Sequence, residues 1–183
     1  MNKINISYFV IISLIFFASL TRIIPHMPNF TPIGAMALFG GAYLNNKYHA
    51  FLIPIASLWI SDLVLNNFIY NHYTEFIWFY PGFFWQYASF IIIIMIGYFL
   101  LKKLNFKNLF ITTIGSSLLF FIITNFGVWI SGTMYTLDLN GLIACYVMAL
   151  PFYKGTLLGF MCYSTFLFGV LEFLKSKFQT LNN

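Results

Sequence analysis

Residues 83–103 read FFWQYASFIIIIMIGYFLLKK, and this stretch decides the class of fold. No charged side chain occurs from Phe83 to Leu101, the run is about as long as a helix needs to cross ~30 Å of hydrocarbon, and Lys102 and Lys103 close it at a polar boundary. The rest of the chain has the same character. Of its 183 residues 61% are hydrophobic, 22% aromatic and only 7% charged, with a mean hydropathy of +0.86. Such a chain has too little polar surface to cover a globule, which argues against soluble enzymes, disordered regulators and nucleic-acid modules. Its nine Lys and Arg form no run longer than Lys102-Lys103, so the net charge of +5 marks where loops lie beside a membrane and gives no basic patch for nucleic acid. Cys145 and Cys162 stand in apolar surroundings without CxxC spacing and read as inert buried thiols.

Polar punctuation cuts the chain into six apolar segments, so the expected fold is a single all-α transmembrane domain over 1–183, a six-helix bundle. The first segment runs from Ile4 to about Ile24. A secretory signal with a cleavage point near Ala18 and Ser19 is the alternative, but the run is long for one, and a retained helix is favoured. The second spans Pro32 to Leu44, with Thr31 as N-cap and Pro32 at the first helical position, where its missing N–H costs nothing. Helix 3 covers about Ala50 to Asn66, helix 4 Phe83 to Leu101 and helix 5 Leu109 to about Phe126. The stretch Leu142 to Leu174 is too long for one crossing; Pro151 is expected to divide it into a short interfacial helix around 141–150 and a sixth spanning helix from about Phe152.

With the N-terminus in the cytoplasm, seven of the nine cations (Lys3, Lys47, Lys102, Lys103, Lys107, Lys175, Lys177) lie on the cytoplasmic side, leaving Arg22 and Lys154 outside. Both termini are then cytoplasmic, in a multi-pass membrane protein. The outer connections 22–32, 66–82 and 127–141 are rich in Pro, Asn, Trp and Tyr, and are where function is expected.

Helix 2 is short for a crossing. A rise of about 20 Å does not cover a ~30 Å core, so Pro25-His-Met-Pro-Asn-Phe-Thr31 must dip into the membrane without helical hydrogen bonds. Irregular backbone at that depth has to be buried in protein or line an aqueous cavity, which predicts a pocket facing outward; a locally thinned bilayer around a tilted bundle is the alternative. His26 and Asn29 are the polar side chains of the dip. Asp62, toward the outer end of helix 3, is expected to pair with Lys154 at the outer start of helix 6, with Asn66 and Asn125 as polar neighbours, forming either a pocket wall or an architectural ion pair. His26, His49 and His72 lack ligand spacing, so no metal site is expected.

Small residues four apart, Ala37 and Gly41, Ser57 and Ser61, Gly155 and Gly159, predict close helix packing. Trp78, Tyr80, Trp85, Trp129 and Tyr135 fit an interfacial aromatic belt, with Trp129 and Tyr135 also candidates for stacking on a ligand. No Walker A, HExxH or nucleophile-elbow sequence and no carboxylate pair is present, so the chain is not expected to be an enzyme and no cofactor is implied.

The run from Arg22 to Tyr43, RIIPHMPNFTPIGAMALFGGAY, together with Ser61-Asp-Leu63, Thr124-Asn-Phe-Gly-Val-Trp129 and Ala149-Leu-Pro-Phe152, resembles a family of small bacterial membrane proteins described as transport proteins. Those are similar in turn to the substrate-binding S components of energy-coupling-factor vitamin transporters. The resemblance implies a multi-pass protein of the bacterial inner membrane with six helices, cytoplasmic termini and a pocket under the outer loops. It also implies capture and uptake of a small nutrient such as a vitamin or cofactor precursor, with membrane lipid, the substrate and an energising transporter module or other membrane subunits as partners. The alternative function is a structural or assembly subunit of a larger membrane complex.

Overall fold

A computed structural model describes residues 6–70 and 73–178. Its helices are α1 (Ile6–Leu20), α2 (Ile33–Tyr43), α3 (Lys47–Val64), α4 (Phe83–Leu100), α5 (Phe106–Ile130) and α6 (Leu139–Lys177), and no strand occurs among the described residues. A 3-10 turn, Thr21–Ile23, continues α1, and a π-helical turn, Leu65–Ile69, continues α3. The helices α3 with its π turn, α4, α5 and α6 are each long and apolar enough to cross a membrane, whereas α1 and α2 are shorter apolar helices. Six helices were expected, the second too short to cross alone; four helices meet the length of a crossing, and α1 joins α2 among the shorter ones.

The organising element is α2. Its residues from Ile33 to Gly41 are all buried, as an 11-residue helix that is apolar on every side has to be. Helix α4 lies closest against it. A Cβ on Gly41 would collide with the Ile94 carbonyl oxygen, and one on Gly97 would come 3.0 Å from the Leu38 Cα, so the two glycines let the backbones touch. Phe39 and Phe168 join α2 to α6 edge to face, with ring centroids 5.3 Å apart. Because α2 is sheathed by the other helices, its shortness exposes no backbone to lipid.

Side-chain caps fix three helix starts. Asn46 accepts from Tyr48 N at 2.9 Å, Asn105 from Asn108 N at 2.8 Å, and Asp138 from Gly141 N at 2.7 Å. Asp138 also accepts from the Thr136 hydroxyl, and these bonds to its ionised form hold its carboxyl below the usual aspartate range. Thr31 makes no such cap: Pro32 occupies the N-cap position of α2 and the helix begins at Ile33.

Pro151 does not divide the last apolar stretch. Helix α6 runs unbroken through it for 39 residues, about 58 Å at 1.5 Å per residue and well beyond one bilayer core. A proline removes one hydrogen bond, and here α5 holds α6 on both sides of the gap. Tyr146 donates to the Ile122 carbonyl at 2.7 Å before it, and Tyr153 meets the Ser117 hydroxyl at 3.2 Å after it.

Candidate functional site

The site begins where α1 runs out of helix. Prolines at 25, 28 and 32 deny residues 24–32 a regular hydrogen-bond ladder, and the segment closes on itself locally, with Phe30 N donating to Met27 O and Thr31 N to Asn29 O, each at 3.0 Å. Asn29 turns the chain with φ at +62°, a conformation asparagine tolerates better than most residues. This backbone lies directly on α6. A Cβ on Gly155 would overlap the Pro28 carbonyl oxygen, and one on Gly159 would stand 2.8 Å from Thr31 N. The Gly155 and Gly159 pair therefore receives the irregular segment rather than another helix.

Around that segment lies a cavity of about 660 Å³, bounded also by the end of the π turn, by α4 through Gln86, by α5 and by α6, with Ile33 at the start of α2. His26, Asn29 and Asn125 line it, three of the side chains the sequence singled out. Arg22, Gln86, Thr124 and Thr156 line it as well and were not anticipated. Phe120 and Phe160 supply aromatic surface. A smaller recess of about 100 Å³, bordered by Phe121, Ala149 and Phe152, shares Asn29, Thr124, Asn125 and Thr156 with the larger one and carries it toward the α5/α6 seam.

Asp62 does not line the cavity, and its partner is not Lys154. Its Oδ1 lies 2.7 Å from Arg22 Nη2, with the two side chains 7% and 10% exposed, while Lys154 is exposed. Arg22 Nη1 donates to Ser61, and Tyr87 donates to Asp62 Oδ2 at 2.9 Å. The reason is steric: the 3-10 turn after α1 swings Arg22 onto the Ser61-Asp62 turn of α3, whereas Lys154 leaves α6 toward its exposed face. A planar guanidinium suits a desolvated carboxylate better than an ammonium does, and that preference was the available signal for Arg22. Tyr80, in the loop before α4, buries its hydroxyl without a partner; burial, and then the Asp62 charge, push its pKa well above the ordinary phenol range.

The remaining candidates stand outside the cavity lining. Asn66 donates back to the Asp62 carbonyl at 2.9 Å, Trp129 Nε1 donates to the Thr136 carbonyl at 3.0 Å, and Tyr135 is half-buried in the loop between α5 and α6. Ser57 and Ala37 are buried packing residues. Asn67, which sequence reading passed over, clamps the loop before α4: it accepts from Ile77 N at 2.7 Å and donates to Ile77 O at 2.9 Å. Trp59 stacks on Trp78 beside that clamp, with centroids 6.1 Å apart. Among the described residues no three His, Cys, Asp or Glu gather where they would hold a metal ion.

The arrangement is a water-accessible chamber with neutral hydrogen-bonding walls and one charged wall group braced from behind. A model described as "Family of unknown function (DUF6580)" matches residues 2–181. The chain belongs to that family. No curated protein and no solved structure matches this DUF6580 chain.

Proposed function

We propose that this protein captures a small polar molecule in the cavity beside residues 24–32 and takes part in its uptake across the bacterial inner membrane. The observation that carries the reading is the cavity itself: about 660 Å³, in the range of small-molecule sites, with polar side chains converging on it from the α1–α2 connection, α4, α5 and α6. A purely architectural bundle gains nothing from leaving Asn29, Gln86, Asn125 and Thr156 around open space, because unfilled volume forfeits packing. In this reading the cavity opens to the outer side, both termini are cytoplasmic, and α1 and α2 complete a bundle of six helices like that of an S component. The short α2 supports it, since a buried half-length helix leaves the space above its N-terminus for a ligand.

The test is native mass spectrometry of protein purified in mild detergent, alongside a variant with Thr156→Trp to fill the cavity. A bound metabolite on the native chain that is absent from the folded variant is the expected result. A native chain without any bound molecule, and with no change in melting on exposure to a metabolite library, would sink the proposal.

A further inference from the structure

The chemistry of the cavity walls names a class of ligand, on the premise that the chamber is the binding site proposed above. Among the described residues the cavity is lined by two basic side chains, Arg22 and His26, and by no Asp or Glu. Arg22 is the stronger anchor. Its side chain is nine-tenths buried, Asp62 and Ser61 fix its two terminal nitrogens, and its Nε–H is buried with no hydrogen-bond partner. A guanidinium so held is preorganised at the wall, and an anionic group reaching it from the cavity replaces water that solvates it poorly. Asp62 stands behind Arg22, outside the lining, so it offers no seat to a cationic ligand.

The walls supplied by α5 and α6 have the reverse polarity. Thr124 donates its hydroxyl proton to the Phe120 carbonyl at 2.8 Å, Asn125 Nδ2 donates to the Phe121 carbonyl at 2.8 Å, and Thr156 donates, more weakly at 3.5 Å, to the Phe152 carbonyl. Each hydroxyl has then used its one proton, which leaves Oγ1 of Thr124 and Thr156 as acceptors, while Asn125 keeps its Oδ1 acceptor together with one unspent N–H. Phe120 and Phe160 line the same cavity.

We propose that the cavity takes a dipolar small molecule, with an anionic oxygen group (carboxylate or phosphate) at Arg22 and an N–H- or O–H-bearing end against Thr124, Asn125 and Thr156. The probes are 4-aminobenzoate, 4-aminophenylphosphonate, benzoate and 4-aminobenzamide, measured by titration calorimetry on the detergent-solubilised full chain. One of the two amino acids is expected to bind at least about tenfold more tightly than 4-aminobenzamide, which lacks the anion, and more tightly than benzoate, which lacks the donor. Which of the two it is separates carboxylate from phosphate. The paired variant Arg22→Gln with Asp62→Asn keeps the brace neutral, so it folds without a stranded charge and should lose the preference for acid over amide. Thr124→Val should narrow the gap between 4-aminobenzoate and benzoate. Tighter binding of the amide, or an acid preference that survives the paired variant, overturns the dipolar assignment while leaving the cavity a binding site. No binding by any of the four overturns both.

Discussion

Removing Arg22 should do more harm than removing the whole ion pair. Arg22 and Asp62 approach to 2.7 Å with their side chains 10% and 7% exposed, so neither charge is well solvated once its partner is gone. Unit charges at that separation attract by about 6 kcal/mol at an effective dielectric of ~20, and the cost of drying both groups cancels much of this. The net worth of the pair is therefore small, whereas a lone survivor keeps its desolvation cost with nothing to offset it. Arg22→Gln or Asp62→Asn alone should each lower stability by roughly 3 kcal/mol, and the paired variant should lose less than either, falling short of their sum by more than about 3 kcal/mol. Tyr87 softens the Arg22→Gln effect, because its hydroxyl still donates to Asp62 at 2.9 Å. The assay is reversible unfolding in mixed micelles with increasing denaturing detergent, followed by tryptophan fluorescence. Lys154→Met serves as a control and should change little, since Lys154 is exposed. Additive single effects, or a Lys154→Met loss as large as that of Arg22→Gln, would refute the reasoning.

Gly155→Ala should destabilise by about 1–3 kcal/mol, because its methyl must displace the Pro28 carbonyl, whereas Gly169→Ala, with nothing within 4 Å of the new carbon, should be neutral or stabilising in the same unfolding assay. At Asn29, with φ at +62°, alanine should cost about 1 kcal/mol and glycine almost nothing; equal losses in both variants would assign the effect to the side chain. The lowered carboxyl of Asp138 predicts a pH-dependent start to α6. A depressed folded-state pKa stabilises fully above the ordinary aspartate value and loses that stabilisation as pH falls through the lowered one. Hydrogen exchange should accordingly show Gly141 N–H protected at pH 6 and progressively less so in acid, with Asp138→Ala removing both the protection and its pH dependence.

The irregular segment after α1 was legible because proline acts locally. Three prolines within residues 25–32 remove hydrogen bonds too closely spaced for a helix to bridge, unlike the single Pro151 of α6, and a helix as short as α2 cannot span a bilayer by itself, so an irregular segment at this place was expected from covalent chemistry and length, and His26 and Asn29 of that segment line the cavity. The roles of Gly155 and Gly159 were half legible. Their spacing marks a close approach, but a missing side chain does not say what fills the space, and residues 28–31 fill it.

What the sequence by itself determined was what each segment can do alone: long apolar runs that form helices, and polar and proline-rich connections that end them. Tertiary structure decided every question of partnership. Lys154 and Arg22 both stood as outer cations in the sequence, which favoured Lys154 as the partner of Asp62, and the 3-10 turn at the end of α1 puts the arginine on α3 instead. Pro151 should end a helix standing alone, yet bonds from Tyr146 and Tyr153 to α5 on either side carry α6 through it. Thr124 and Thr156 carry no functional signal in an apolar run; they become a wall with a definite hydrogen-bond polarity only because α5 and α6 face the same cavity. Backbone conformation follows largely from neighbours within a few residues, whereas an ion pair or a cavity wall depends on side chains that only chain packing brings within a few ångströms.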